Sequence, residues 1–161
     1  MHLKRWLQFA VLLVAAWCVM TVTHEAGHIV GGWLGGGTLR HADLRPWRLP
    51  QSLFNPDPRP LLTLWCGPIL GVLAPLGVAL LARRVETSFV ANFCMVANGC
   101  YLAAAWFSGD RFLDTPRLLA AGAWPISICG YCLLTIGFGY VRFRANCIAV
   151  LASKKRDTPL A

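Results

Sequence analysis

Charged residues are scarce in this sequence. They make up 14% of 161 residues, where a soluble domain carries about a quarter, and acids are the scarcer sign, seven Asp and Glu against fifteen Lys and Arg. With 57% of the residues hydrophobic, this shortage argues against an ordinary water-soluble domain and points to a membrane protein. The marks of a removable signal peptide are also missing. "MHLKR" followed by "WLQFAVLLVAAW" has a basic start and an apolar middle, but no small-x-small cleavage site follows, Trp17 before Cys18 spoils a lipoprotein-type site, and the apolar run continues to Leu34. The first segment is therefore expected to stay with the protein. A disulfide framework is absent for a different reason. The seven cysteines are odd in number and lie mostly inside apolar runs, where a thiol behaves as a small hydrophobe. Cys129 and Cys132 form a CxxC in mid-span with no second pair, which argues against metal or redox use. No internal repeat and no dividing linker is visible.

What is present is a set of uncharged runs long enough to cross a hydrocarbon core, which takes about 20 residues. There are four, at roughly residues 6–33, 61–82, 87–107 and 118–141. The expected fold is an all-α membrane protein of about four transmembrane helices, with a long loop after the first. Residues 1–151 form one membrane-embedded domain and 152–161 a basic tail. The net charge of +8 does not call for nucleic acid, because Lys4/Arg5, Arg83/Arg84, Arg142/Arg144 and Lys154/Lys155/Arg156 flank the spans, where lipid headgroups and topology rules place them. In the long loop, glycines and the Asn55-Pro56-Asp57-Pro58 stretch rule out a continuous helix, and the alternation in "TLRHADL" predicts a short strand at the membrane edge. The tiny "RRVE" link makes the second and third spans antiparallel neighbours. Gly27, Gly31 and Gly35, and likewise Gly67 and Gly71, recur every fourth residue, a spacing that lets helix backbones approach closely in lipid.

Only the first span contains ionisable groups within its length: His24, Glu25 and His28 in "TVTHEAGHIV". Each ionisable group in hydrocarbon costs on the order of 2–3 kcal/mol or more, so three within five residues need a compensating partner. On a helix, residues four apart are separated by about 400° and about 6 Å of rise, so His24 and His28 project from one face, as two ligands of one metal ion must. Glu25 is rotated by about 100° from His24, poorly placed as a third ligand but able to reach a metal-bound water. This is the H-E-x-x-H pattern, in which a metal, most often zinc, acidifies water and the glutamate takes its proton.

Catalytic zinc usually has a third protein ligand. The candidates are Asp43, Asp57, Glu86, Asp110, Asp114, Asp157, His2, His41 and the cysteines. His28 lies near the far end of the first span, so after two further crossings residues 108–117 emerge on the same side, whereas His2, Glu86 and Asp157 lie on the other. Asp43 and Asp57, in the long loop, can be solvated. Asp110 and Asp114 remain, and Asp114 has a competing role, since "DTPRLL" reads as a helix start with Asp114 or Thr115 as the cap and Pro116 in the first turn. Spacing leaves the two aspartates open.

HEAGH resembles the first motif of the site-2 protease family of intramembrane zinc metalloproteases. "CGPILG" (66–71) is similar to that family's glycine-proline element, and "LDTPRLL" (113–119) to its leucine-aspartate-glycine motif, with Thr115 and Pro116 in place of glycines. The resemblance covers roughly residues 15–120. It implies one zinc ion per chain held by His24, His28 and Asp114, with Asp110 as the alternative, and Glu25 as the catalytic base. The asparagine-proline stretch expected before the aspartate is not evident, and Asn98 is its nearest substitute, a candidate for supporting the site. The activity implied is hydrolysis of peptide bonds in or near the transmembrane segments of a membrane-protein substrate. Without an extra recognition domain, substrate choice falls to the long loop, to span packing, or to a partner protein or second copy. Two other functions compete: a non-proteolytic zinc-binding scaffold or sensor, and a small ion-transporter subunit. The expected location is the cell (inner) membrane. Nine Lys and Arg on the side of the termini against six opposite favour cytoplasmic termini, whereas the resemblance implies the reverse, so the orientation stays open.

Overall fold

The apolar runs fold as helices because a backbone in hydrocarbon must satisfy its own N–H and C=O groups. A computed structural model describes residues 2–152; the basic tail, with Lys154, Lys155, Arg156 and Asp157, lies outside the described residues. The chain forms α1 (His2–Leu34), a hairpin of β1 (Leu39–Asp43) and β2 (Gln51–Phe54), α2 (Pro60–Ala82), α3 (Val85–Phe107), a short α4 (Asp114–Ala120) and α5 (Pro125–Ala152). Among the described residues four helices are long and apolar enough to cross a membrane, and the protein is an all-α, multi-pass membrane protein with a two-stranded appendage. Large apolar side chains such as Val14, Leu81 and Leu133 face outward, as they do where the surroundings are lipid.

The first three spans fall close to their expected ends, and the fourth does not. Residues 118–124 are not part of it. Gly122 takes a positive φ of 93° and Ala123 N–H closes back on Leu118 O at 2.9 Å, so the chain turns, and Pro125, preset for a first helical turn, starts α5. At the other end Arg142 and Arg144 do not stop the helix, which continues to Ala152. Both arginines are exposed, and Arg142 lies over the Phe138 ring at 5.5 Å; long cationic side chains can ride within an apolar helix when their heads reach the interface.

α1 packs chiefly on α2, and α3 on α5. The glycine stripes explain the first contact. A Cβ on Gly31 would fall 2.6 Å from Cys66 Cβ and 2.8 Å from Leu62 O, and one on Gly27 would fall 2.8 Å from Gly67 Cα, so α2 closes onto α1 where α1 carries no side chain. The Arg83-Arg84 link joins α2 to α3, with Arg83 in the left-handed region at φ 52°. Leu64, Leu102, Leu118 and Ile128 form one core beneath α4, and Ala16, Phe89 and Val150 a second at the end where the chain begins. The expected strand is β1. It pairs antiparallel with β2, Ala42 opposite Ser52 and Asp43 opposite Gln51, with an irregularity between Leu39 and His41, and β2 lies against α1.

Candidate metal centre

His24, Glu25 and His28 are all buried, as are Asn98 and Asp114. Helical spacing puts both imidazoles on the α1 face that meets α2 and α3, where their rings stand edge to face, 4.8 Å apart. The space for them comes from the partner helices. A Cβ on Gly67 would collide with the His28 ring, and one on Gly71 would fall 2.7 Å from Asn98 Oδ1. The small residues of "CGPILG" therefore both let α2 approach and leave room for the polar groups.

Hydrogen-bond chemistry fixes which nitrogen of each ring carries its proton. His28 Nδ1 lies 2.9 Å from Thr63 O; a carbonyl only accepts, so Nδ1–H donates and Nε2 presents a lone pair. Asn98 Nδ2 donates to Cys94 O at 2.8 Å, which orients the amide so that its Oδ1 accepts from His24 Nδ1–H at 2.6 Å. His24 Nε2 is thus a lone pair as well. Asp114 Oδ2 completes the group, 2.8 Å from His24 Nε2 and 3.1 Å from His28 Nε2, with the two nitrogens 3.1 Å apart.

Three acceptors therefore converge within a single triangle. One proton can satisfy only one of its edges, and each buried acceptor left unmatched costs about 1–3 kcal/mol. One cation at the centre satisfies all three. A tetrahedral zinc ion with bonds of 2.0–2.1 Å requires ligand atoms about 3.3 Å apart, close to the observed edges. A carboxylate oxygen of Glu25 also lies within 4.8 Å of one ring nitrogen of each histidine, and the His24, Glu25 and His28 group could hold a metal ion. Glu25 Oε2 accepts from Ser52 Oγ–H of β2 at 2.8 Å, so the hairpin holds the glutamate beside the triangle.

Asp114 arrives as the first residue of α4. The cap is Leu113, with no side-chain hydrogen bond at that position, so the capping role considered for Asp114 and Thr115 is not what occurs. Thr115 instead donates to Leu102 O at 2.6 Å, tying α4 to α3 and aiming Asp114 inward, while Arg117 Nη1 stands 3.9 Å from Asp114 Oδ1. Asp110 is exposed, its Oδ1 accepting from Phe112 N–H at 2.9 Å. Asp57 accepts from Thr63 Oγ1–H at 2.9 Å and so steadies the residue whose carbonyl holds His28. His41 and Glu86 are exposed on other elements.

No family model matches this chain, and no curated protein or solved structure matches it.

Beside the triangle lies a cavity of about 320 Å³, with His24 and Glu25 in its wall and Trp17, Met20, Leu49 and Tyr101 among its apolar lining. Arg48, Leu49 and Pro50 of the loop between the strands also line it, and Trp17 Nε1–H ties that loop to α1 by donating to Pro46 O at 2.8 Å. Nothing in the sequence marks Ser52 or the Thr63 carbonyl as part of the site. Asn98 stands out in the sequence only as the nearest substitute for the asparagine-proline stretch of the resembled family.

Proposed function

We propose that this protein is an intramembrane zinc metalloprotease that hydrolyses peptide bonds in or near the transmembrane segments of other membrane proteins. The observation that carries this reading is the triangle of His24 Nε2, His28 Nε2 and Asp114 Oδ2 with a buried carboxylate, Glu25, at its side. The likeness of HEAGH, CGPILG and LDTPRLL to site-2 protease motifs supports it.

Two imidazoles and a carboxylate form a donor set that suits zinc, which when bound would supply Lewis acidity and an acidified water. The chain's own residues do the rest. His24 and His28 are held in their ligating tautomers by Asn98 and Thr63, the kind of outer support that orients metal ligands. Ser52 engages one oxygen of Glu25, leaving the other to accept a proton and later deliver it to the departing amine. The apolar wall of the cavity accepts a side chain of an unwound membrane segment and keeps bulk water from the peptide.

A second reading, a zinc-binding scaffold or sensor without proteolysis, draws on Thr115 and Pro116, which stand where the resembled motif has glycines. Metal analysis and cleavage together separate the two. Wild type and Glu25→Gln are expected to hold one zinc per chain, as is Asp110→Ala, whereas His28→Ala and Asp114→Ala lose it. Cleavage of membrane peptides disappears in Glu25→Gln. Persistent cleavage by that variant would refute the mechanism, and a zinc-loaded wild type inert against a panel of membrane peptides would favour the scaffold.

A further inference from the structure

The end of the bundle away from the histidines carries a second polar cavity within apolar surroundings. It measures about 250 Å³ and lies among α2, α3 and α5, lined by Leu76 and Leu80, by Ser88 and Asn92, and by Arg142 and Asn146. Asn92 is seven residues into α3, about 10 Å below the start of that helix, so the cavity reaches from the interface into the depth of the acyl chains. The buried Asn92 donates through Nδ2 to Asn146 Oδ1 at 2.6 Å. Asn146 Nδ2 keeps its own hydrogens for another acceptor. Arg142 is exposed, and among the described residues it enters no ion pair.

Charge at this end is one-sided. Lys4, Arg5, Arg83 and Arg84 lie near helix ends here and Arg142 and Arg144 within α5, with Glu86 the one acid among the described residues. A cation and an amide donor at the mouth of a cleft with leucine walls match a molecule that is anionic at one end and hydrocarbon at the other. Basic pockets between spanning helices recognise phosphate headgroups in this way. A zwitterionic lipid brings its own ammonium beside the phosphate and gains less from Arg142. Free phosphate has the charge but no use for Leu76 and Leu80.

We propose that this cavity binds one anionic phospholipid, its phosphate on Arg142, a glycerol-ester oxygen on Asn146 Nδ2, and its acyl chains along Leu76 and Leu80. The site is remote from the metal centre and independent of whether the protein cleaves peptides.

The test is native mass spectrometry of the full-length protein released from micelles doped with equal phosphatidylglycerol and phosphatidylcholine. Melting temperatures measured with each lipid, and with inorganic phosphate alone, accompany it. Wild type is expected to retain one phosphatidylglycerol in preference to phosphatidylcholine and to melt higher with it. Arg142→Gln lowers that retention about fivefold, the effect of one interfacial cation. Asn146→Leu lowers it as well, Arg142→Lys restores most of it, and Arg111→Gln at the opposite end leaves it unchanged. Equal retention of the two lipids by wild type overturns the proposal, as does an equal loss in Arg111→Gln, which would mean diffuse charge attraction. A melting rise of the same size with phosphate alone would assign the cavity to a free anion and overturn the lipid assignment.

Discussion

Replacing Asn98 by Ala is expected to weaken zinc binding 10- to 100-fold without touching a ligand. Asn98 is fully buried, and its Oδ1 is the acceptor for His24 Nδ1–H at 2.6 Å. Truncation leaves that N–H buried and unpaired, at a cost of about 1–3 kcal/mol, and frees the ring to turn or change tautomer. Loss of such an outer partner typically lowers metal affinity about 10- to 100-fold, equivalent to roughly 1.4–2.7 kcal/mol, so two separate routes give the same magnitude. Collapse of the site offers little relief, because the α2 backbone at Gly71 already rests on the amide. Asn98→Asp keeps the acceptor for His24 but sets its other oxygen against Cys94 O, and should hold zinc better than the alanine variant. Competition against a chromophoric chelator in detergent measures the affinities, and melting with and without chelator verifies folding. A folded Asn98→Ala with wild-type affinity would refute the reasoning. An Asn98→Asp as weak as the alanine variant would show that acceptance from His24 is not what matters.

Three further outcomes can be checked independently. Gly67→Ala puts a methyl group into the His28 ring; overpacking of about 1–3 kcal/mol should lower the melting temperature and release zinc, whereas Gly77→Ala, with open space around it, should do neither. Ser52→Ala removes the donor to Glu25 Oε2; hydrogen bonds to charged groups contribute about 1.5–3 kcal/mol, so turnover should fall about tenfold or more with zinc content unchanged, and unchanged turnover would deny Ser52 a positioning role. Hydrogen bonds from the Arg45 side chain and backbone hold the Asp43 carboxyl well below its ordinary 3.8. A depressed value means that the hairpin-end contact is fully present above pH 4 or so and is lost only as pH falls through the lower folded value; relative exchange protection of the hairpin amides should therefore stay flat from pH 5 to 8, and a loss beginning near pH 6 would contradict the assignment.

The spans were legible where physics puts a sharp edge on composition. α2 begins at Pro60 and ends before Arg83-Arg84, and a window of apolar residues finds both limits. The fourth span was not, because Gly122 and Pro125 break an unbroken apolar run while two arginines sit harmlessly inside the true helix. Hydropathy sees the charges and misses the turn. At the candidate metal centre, helical periodicity was enough to pair His24 with His28, and counting membrane crossings was enough to bring residues 108–117 near them. Choosing Asp114 over Asp110 needed the resemblance, and the choice between a cap and an inward-facing carboxylate needed the Thr115 bond to Leu102 O. Ser52 was out of reach, since it stands 27 positions from Glu25 in a four-residue strand between prolines, and nothing local marks a serine as the partner of a distant glutamate. Thr63 acts through its carbonyl, which every residue possesses.

Gly67 and Gly71 have no side chain with which to donate, accept or bind, yet the His28 ring and the Asn98 amide occupy the volume that any side chain at those positions would fill. Among homologous chains these two positions would be expected to tolerate change as poorly as the histidines. A search for relatives by their polar residues alone would overlook half of the pattern, because part of what defines this centre is written as the absence of atoms on the opposing helix.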